Sequence, residues 1–150
     1  MSVTVRPGDP RSPEGRALLG ASHAYLASLY PPEHNHYLPV EALAAPHVSF
    51  WIAEIGGRAL GCIALARMEG YGEVKSMFVD PAARGAGVGA ALMEALEGQA
   101  RAEGLAVLRL ETGDDLHPAH RLYRRHGFID RGPFGDYEEG PHSVFMEKRL

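Results

Sequence analysis

The sequence predicts an α/β fold built on one mixed sheet, and three of its features carry that prediction. Val48–Ile55, Arg58–Arg67 and Glu73–Val79 are apolar runs of strand length separated only by glycine-bearing turns, the pattern of an antiparallel meander. The third run passes through a short Asp-Pro turn and a glycine-rich loop into an amphipathic stretch, so a strand feeds a helix directly. Another apolar run, Leu105–Thr112, follows that helix, and the alternation of strand and helix makes the sheet mixed.

The remaining elements fall in order along the chain. Ser2–Arg6 alternates like a short strand and is broken by Pro7, Gly8, Asp9 and Pro10. Glu14–Tyr30 spaces Leu18, Leu19, Ala21, Tyr25, Leu26 and Leu29 as a helix does, and Pro31-Pro32 stops it. Glu33–Tyr37 is a polar loop bearing histidines, and Val40–Ala45 reads as a short helix closed by Pro46. Gly56-Gly57 is a hairpin signal between the first two long strands, and Gly70–Gly72 marks the next turn. A helix is expected from Val88 to Glu103, with Leu92, Ala95, Leu96 and Ala100 on one face and Gly104 as its C-cap. A second runs from Pro118 to His126 and ends at Gly127. Two short strands, Phe128–Arg131 and Ser143–Lys148, flank a loop, Gly132–His142, that is rich in glycine, proline and acids. No repeat, low-complexity tract or linker divides residues 1–150, so one domain is expected.

Bulk properties narrow the function classes. A net charge of −4 argues against general nucleic-acid binding, which requires a basic face. No apolar run reaches bilayer length, and MSVTVRPGD lacks the apolar core of a signal peptide, so neither a membrane nor export is expected. Cys62 is the single cysteine, which rules out an intramolecular disulfide; within GCIALA it reads as a small buried hydrophobe. The spacings His34-x-His36 and His117-x-x-His120 match no metal-binding pattern, and no catalytic metal is expected. A cytoplasmic protein is the expectation from these properties together.

The glycine loop admits two readings. Gly85, Gly87 and Ala90 satisfy the dinucleotide pattern G-x-G-x-x-A, with Glu111 near the end of the next strand where a ribose-binding acid belongs. That loop should leave its strand directly, whereas Asp80–Arg84 intervene here, and too little chain remains for a doubly wound sheet. The second reading takes Arg84-Gly85-Ala86-Gly87-Val88-Gly89 as R-x-x-G-x-G, following strand and Asp-Pro and leading into AALMEALE. In this form the segment resembles the acyl-CoA pyrophosphate loop of the GNAT superfamily of N-acetyltransferases. Downstream, Ala119 to Phe128 resembles the A-x-x-L-Y-x-x-x-G-F segment of that superfamily. The resemblance covers Val48 to Phe128, and EVKSMFV, LETG and FGDY are similar to small single-domain bacterial members.

What the resemblance implies is specific. The fold would be a mostly antiparallel sheet of about six or seven strands flanked by about four helices, with a splayed parallel strand pair forming the acyl-CoA cleft. Acetyl-CoA would be the co-substrate, its pyrophosphate held by Arg84, Gly85, Ala86, Gly87, Val88, Gly89 and Ala90. Its pantetheine arm would pair with the backbone of Met77, Phe78 and Val79, an N–H near Phe78 polarising the thioester carbonyl, and face Glu111–Gly113, including Thr112, across the cleft. Glu73, eleven residues before Arg84, matches a general-base glutamate, and Tyr123 matches a tyrosine near the sulfur that acts as general acid. One departure stands out: Leu116 occupies a position seven residues before Tyr123 where many relatives carry Asn or Gln, leaving Asp114, Asp115 or His117 to make that contact if it is made.

The acceptor would be the amine of a small molecule or peptide. Its pocket in this superfamily is built by segments that correspond to Tyr30–Tyr37 and Phe134–His142, which points to Tyr30, His36 and Tyr137 as substrate-binding residues. Glu138 and Glu139 lean toward a cationic acceptor. Edge strands at both ends of the sheet allow a homodimer. The alternative of a different class is an acyl-CoA-binding sensor that does no chemistry.

Overall fold

Alternating side chains along the central strands explain the layering. In β2 (Val48–Ile55) Phe50 and Ile52 point to one face and Trp51 and Ala53 to the other; in β3 (Arg58–Met68) Cys62 and Ala64 oppose Ile63 and Leu65 in the same way. Strands apolar on both faces need cover on both. In the computed structural model, which describes residues 2–150, α1 (Pro13–Leu29) and α2 (Val40–Leu43) cover the first face with Leu18, Leu19 and Leu43. The second face is covered by α3 (Val88–Ala102) and α4 (His117–Arg125), through Val88, Leu92, Met93, Leu96 and Leu122.

With β1 (Thr4–Pro7), β4 (Tyr71–Val79), β5 (Val107–Gly113), β6 (Ile129–Arg131) and β7 (Ser143–Arg149), the sheet has seven strands in the order β1-β2-β3-β4-β5-β7-β6. Every neighbouring pair is antiparallel except β4 and β5. None of the described helices is long and apolar enough to cross a membrane.

Local chemistry sets the element ends. Ser12 Oγ accepts from Gly15 N–H at 3.1 Å and Pro13 follows it, so α1 starts as a capped helix with proline in its first turn. Gly56 and Gly57 have φ of 58° and 80°, the two positive values that a type I′ hairpin requires. The expected strand start at Leu105 moves to Val107 because Leu105 N–H donates to Ala100 O at 3.0 Å, closing α3 instead. The expected turn at Gly70–Gly72 is shorter: Met68 pairs with Tyr71, and Glu69-Gly70 alone turn the chain. Gly72 lies inside β4 for a different reason. A Cβ there would stand 2.8 Å from a Leu65 methyl and 3.1 Å from methyls of Leu105 and Leu108.

The parallel pair is short. Only Gly72–Leu108 and Glu73–Arg109 are in register between β4 and β5. Beyond them β4 carries a bulge: Phe78 pairs with Cys62 but Lys75 pairs with Ala64, so β4 has one residue more than β3 over that span. Ser76 takes a φ of 55° in the bulge. A bulge bends its strand, and here β4 leaves β5, which continues beside β7 as far as Gly113–Ser143.

Candidate active site

The splay opens a cleft of about 960 Å³. One arm is β4 from Val74 to Val79 and the other is Glu111, Thr112 and Gly113 of β5. The edge of β4 facing β5 has no strand partner beyond Glu73, so backbone groups there are open to a ligand.

At one end of the cleft lies the glycine loop. Asp80 Oδ1 accepts from Ala82 N–H at 2.9 Å, which shapes a single 3₁₀ turn over Pro81–Ala83. Gly85 and Gly87 then take φ of 82° and 85°, where a side chain would be strained. Ala86 N–H donates to Ala83 O at 3.2 Å, but the N–H groups of Gly85, Gly87, Val88, Gly89 and Ala90 have no backbone partner among the described residues. Gly89 has its own constraint: a Cβ would stand 2.9 Å from Leu122 and 3.1 Å from Met77, so its absence lets α3 close onto β4 and α4. Arg84, Arg121 and Arg125 also line the cleft. Free N–H groups at a helix N-terminus beside guanidinium groups form an anion site, and this one fits the pyrophosphate of a CoA thioester.

Eleven of the twelve residues expected to contact the cofactor line this cleft: Met77, Phe78, Val79, Arg84, Gly85, Gly87, Val88, Gly89, Ala90, Thr112 and Tyr123. Ala86 does not, its N–H being used within the turn. Leu116 lines the cleft as well, whereas Asp114, Asp115 and His117 do not. Asp114 instead faces His142 at 3.4 Å, and the Asp115 N–H donates to Tyr30 Oη at 2.9 Å. His120 Nε2 bonds Gly113 O at 2.7 Å, tying the start of α4 to the end of β5.

Tyr123 is 5 % exposed, set among Leu122 and Phe128, and reaches the cleft from α4. Burial, reinforced by the negative charge of Glu111, pushes its pKa above the ordinary phenol value. It is therefore a protonated phenol at neutral pH.

The segments where an acceptor pocket is expected are held together by side chains from distant parts of the chain. Glu73 is buried and is not among the cleft-lining residues. Tyr137 Oη donates to Glu73 Oε2 at 2.6 Å, while Lys75 Nζ donates to Tyr137 Oη at 2.8 Å and stands 3.4 Å from the same carboxylate oxygen. Burial and then the Glu73 charge drive the Tyr137 phenol far above its usual range, so it stays a donor. His36 packs edge-on against the Tyr137 ring at 5.5 Å. Tyr30 lines the cleft but is fixed: a Cβ on Gly113 would lie 2.3 Å from its hydroxyl.

Glu111 is the carboxylate that does meet the cleft. Burial raises its pKa against the opposing effects of Ser143 Oγ, which donates to it at 2.9 Å, and of nearby His36 and Lys75. The sequence points to Glu111 as a ribose contact or as backbone, and the place of its side chain in the cleft is not expected from it. A signal existed: Leu108 and Leu110 alternate with it, so the Glu111 side chain must leave the apolar face that they occupy.

The profile of the Acetyltransferase (GNAT) family matches residues 19–128. The chain belongs to the GNAT family of acetyltransferases. Among its relatives, this acetyltransferase is 46% identical over 151 residues to the IAA acetyltransferase of Azospirillum brasilense, covering 99% of each chain. It is 37% identical over 142 residues to the uncharacterised N-acetyltransferase YsnE of Bacillus subtilis, covering 91% of this chain and 94% of that one. A crystal structure from Klebsiella pneumoniae, described as a candidate acyl-CoA N-acyltransferase, superimposes with a TM-score of 0.84 at 37% identity, over 99% of this chain and 97% of that one. The GNAT fold expected from the sequence, with its one parallel strand pair, is the fold observed.

Proposed function

We propose that this acetyltransferase moves an acetyl group from acetyl-CoA directly to the amine of a small molecule or peptide. The observation that carries the reading is the cleft itself, with an anion-binding loop at one end and Glu111 and Tyr123 lining the splay. Acetyl-CoA, when bound, supplies the acetyl group as an activated thioester. The free N–H groups of Gly85 to Ala90 and the Arg84 guanidinium bind the pyrophosphate, and the open edge of β4 orients the arm along the strand. An N–H of β4 near Phe78 that points into the cleft polarises the thioester carbonyl.

Glu111 takes the proton that the amine must lose as its nitrogen bonds to the acetyl carbon. Its raised pKa brings it closer to the operating pH, which is what a general base needs. Tyr123 holds the proton that the departing sulfur takes up as the carbon–sulfur bond breaks. Glu73, the base expected from the sequence, lies behind Tyr137 and acts on the cleft through that hydroxyl and through Lys75.

Free thiol released from acetyl-CoA is the measurement that tests the reading, across tryptamine, spermidine, lysine, an alanine-ended tripeptide and the IAA of the relative's name. Release that depends on one of these acceptors is expected. Tight acetyl-CoA binding with no acceptor-dependent release would overturn the proposed reaction.

A further inference from the structure

We infer that Lys75 is a positioning residue that clasps the two walls of the acceptor pocket together and thereby sets acceptor affinity. The inference rests on the acetyl-transfer reading above only for what the pocket receives; the clasp itself is geometric. An ammonium has three N–H donors. Lys75 directs its Nζ to three segments: His36 O at 3.0 Å on the strap between α1 and α2, Tyr137 Oη at 2.8 Å on the loop between β6 and β7, and the Glu73 carboxylate at 3.4 Å on its own strand. Its side chain is only 10% exposed, so the charge is held in a weakly solvated place with Glu73 as its counter-ion.

The strap has other holds, Tyr37 stacked on His23 at 3.9 Å and Tyr30 Oη accepting from Asp115 N–H, but neither reaches a strand. His34 and Asn35 N–H groups bond to Pro31 O and Pro32 O, and the Asn35 side chain bonds to Tyr30 O and Pro31 O, all within or next to the strap itself. Among the described residues, the bond from Lys75 to His36 O is the one hydrogen bond that ties the strap to the sheet. The opposite loop is fixed through the Tyr137 ring, packed against Phe134 and Phe145 at 5.1 and 5.6 Å. Lys75 directly precedes the bulged Ser76, so the clasp sits where β4 turns away from β5. His34, His36 and Tyr37 of the strap all line the cleft, and letting the strap go would unmake that wall.

The clasp also bears on the base. The groups that face Glu111 are Glu73 and Lys75 from β4, His36 from the strap, Tyr137 from the loop between β6 and β7, Ser143 from β7 and Tyr123 from α4. Lys75 favours ionised Glu111, so removing its charge moves the acid limb of the rate profile to higher pH.

The test compares Lys75→Met and Lys75→Arg with the wild-type enzyme, using whichever panel amine reacts and, separately, hydrogen exchange of the His34 and Asn35 amides in the acetyl-CoA-loaded protein. For Lys75→Met we expect the acceptor KM to rise about tenfold or more while the acetyl-CoA KM stays within about twofold. The acid limb should move up in pH, and the strap amides should exchange about tenfold faster. Lys75→Arg should keep the limb in place and recover part of the acceptor affinity. Should Lys75→Met fail to fold, Lys75→Gln, which removes the charge and the reach of Nζ, carries the same readouts. Unchanged acceptor KM, acceptor and acetyl-CoA KM rising in step, or unchanged strap exchange would each overturn the clasp. If no amine reacts with the wild-type protein, the acetyl-transfer reading fails and strap exchange still decides the clasp.

Discussion

The two halves of the cleft, donor and acceptor on the reading proposed above, are built on opposite principles. The donor half is made by one continuous stretch of backbone: a bulged strand, a 3₁₀ turn, two glycines at positive φ and a helix N-terminus, all within Tyr71–Ala102. Its recognition groups are N–H donors, which every residue type but proline carries, so the sequence must specify only shape. The acceptor half is held in place by side chains that meet across long separations: Lys75 with His36 over 39 residues, Lys75 with Tyr137 over 62, Glu73 with Tyr137 over 64 and Glu111 with Ser143 over 32. The same donor chemistry can therefore serve many acceptors, because the acceptor half can change residue by residue without touching the loop.

Substitutions that separate the halves sharpen this contrast. Tyr123→Phe removes the proton proposed for the leaving sulfur and keeps the ring in the core, so kcat should fall about 10²–10³-fold while acetyl-CoA affinity, read by titration calorimetry, stays near wild type. Glu111→Gln should lower kcat about 10²-fold. On the proposed reading wild-type activity should rise with pH as the Glu111 carboxyl loses its proton, and burial, which raises its pKa, should move that rise upward in pH. Glu111→Gln should flatten the rise, and a limb that survives it would assign the base elsewhere, with Glu73→Gln as the next variant to profile.

Gly87→Ala acts on the other half. It puts a Cβ at φ 85°, at a strain cost of about 1 kcal/mol, and crowds the anion site. The acetyl-CoA KM should rise severalfold with the acceptor KM unchanged, and an equal rise in both would dissolve the separation of the two halves.

The smallest effect lies outside both. Bonds from Arg67 and Gln99 hold the Glu103 carboxylate down to about 2 from its ordinary 4.5. Because the folded pKa is the lower one, this pair stabilises the fold above pH 4.5 and the benefit is lost as pH falls toward 2. Glu103→Gln should remove that slope from acid unfolding curves; for a partly exposed pair the change is below about 1 kcal/mol.

The same contrast governs how much could be read in advance. The meander, the glycine loop and both long helices follow from periodicity and turn residues, because each is decided within a few neighbours along the chain. Arg84, Gly85, Gly87 and Tyr123 belong to such local patterns. The bulge at Ser76 could not be read this way, since it is a mismatch between two strands and shows only once β3 and β4 are in register. The sequence points to Glu73 as a base and to Tyr137 as a substrate contact, with nothing to join them; that the phenol covers the carboxylate depends on a loop folding back over the sheet. Glu111 was passed over as a side chain for the same reason, its neighbours His36, Lys75 and Ser143 lying on three other segments. Gly72 was misread in the other direction, as a turn glycine, because only packing against Leu65, Leu105 and Leu108 reveals why it lacks a side chain.

Two register pairs, Gly72–Leu108 and Glu73–Arg109, join β1–β4 to β5–β7–β6 within the sheet. Mechanically this is a seam. Load applied across the sheet would concentrate on two residue pairs, whereas β5 and β7 share seven. Parting should begin at the open mouth of the splay and run toward Gly72, with α3 and α4 bracing one side only. A ligand laid along the free edge of β4 stitches the seam further along its length, so occupancy of the cleft should toughen the whole sheet against being pulled apart.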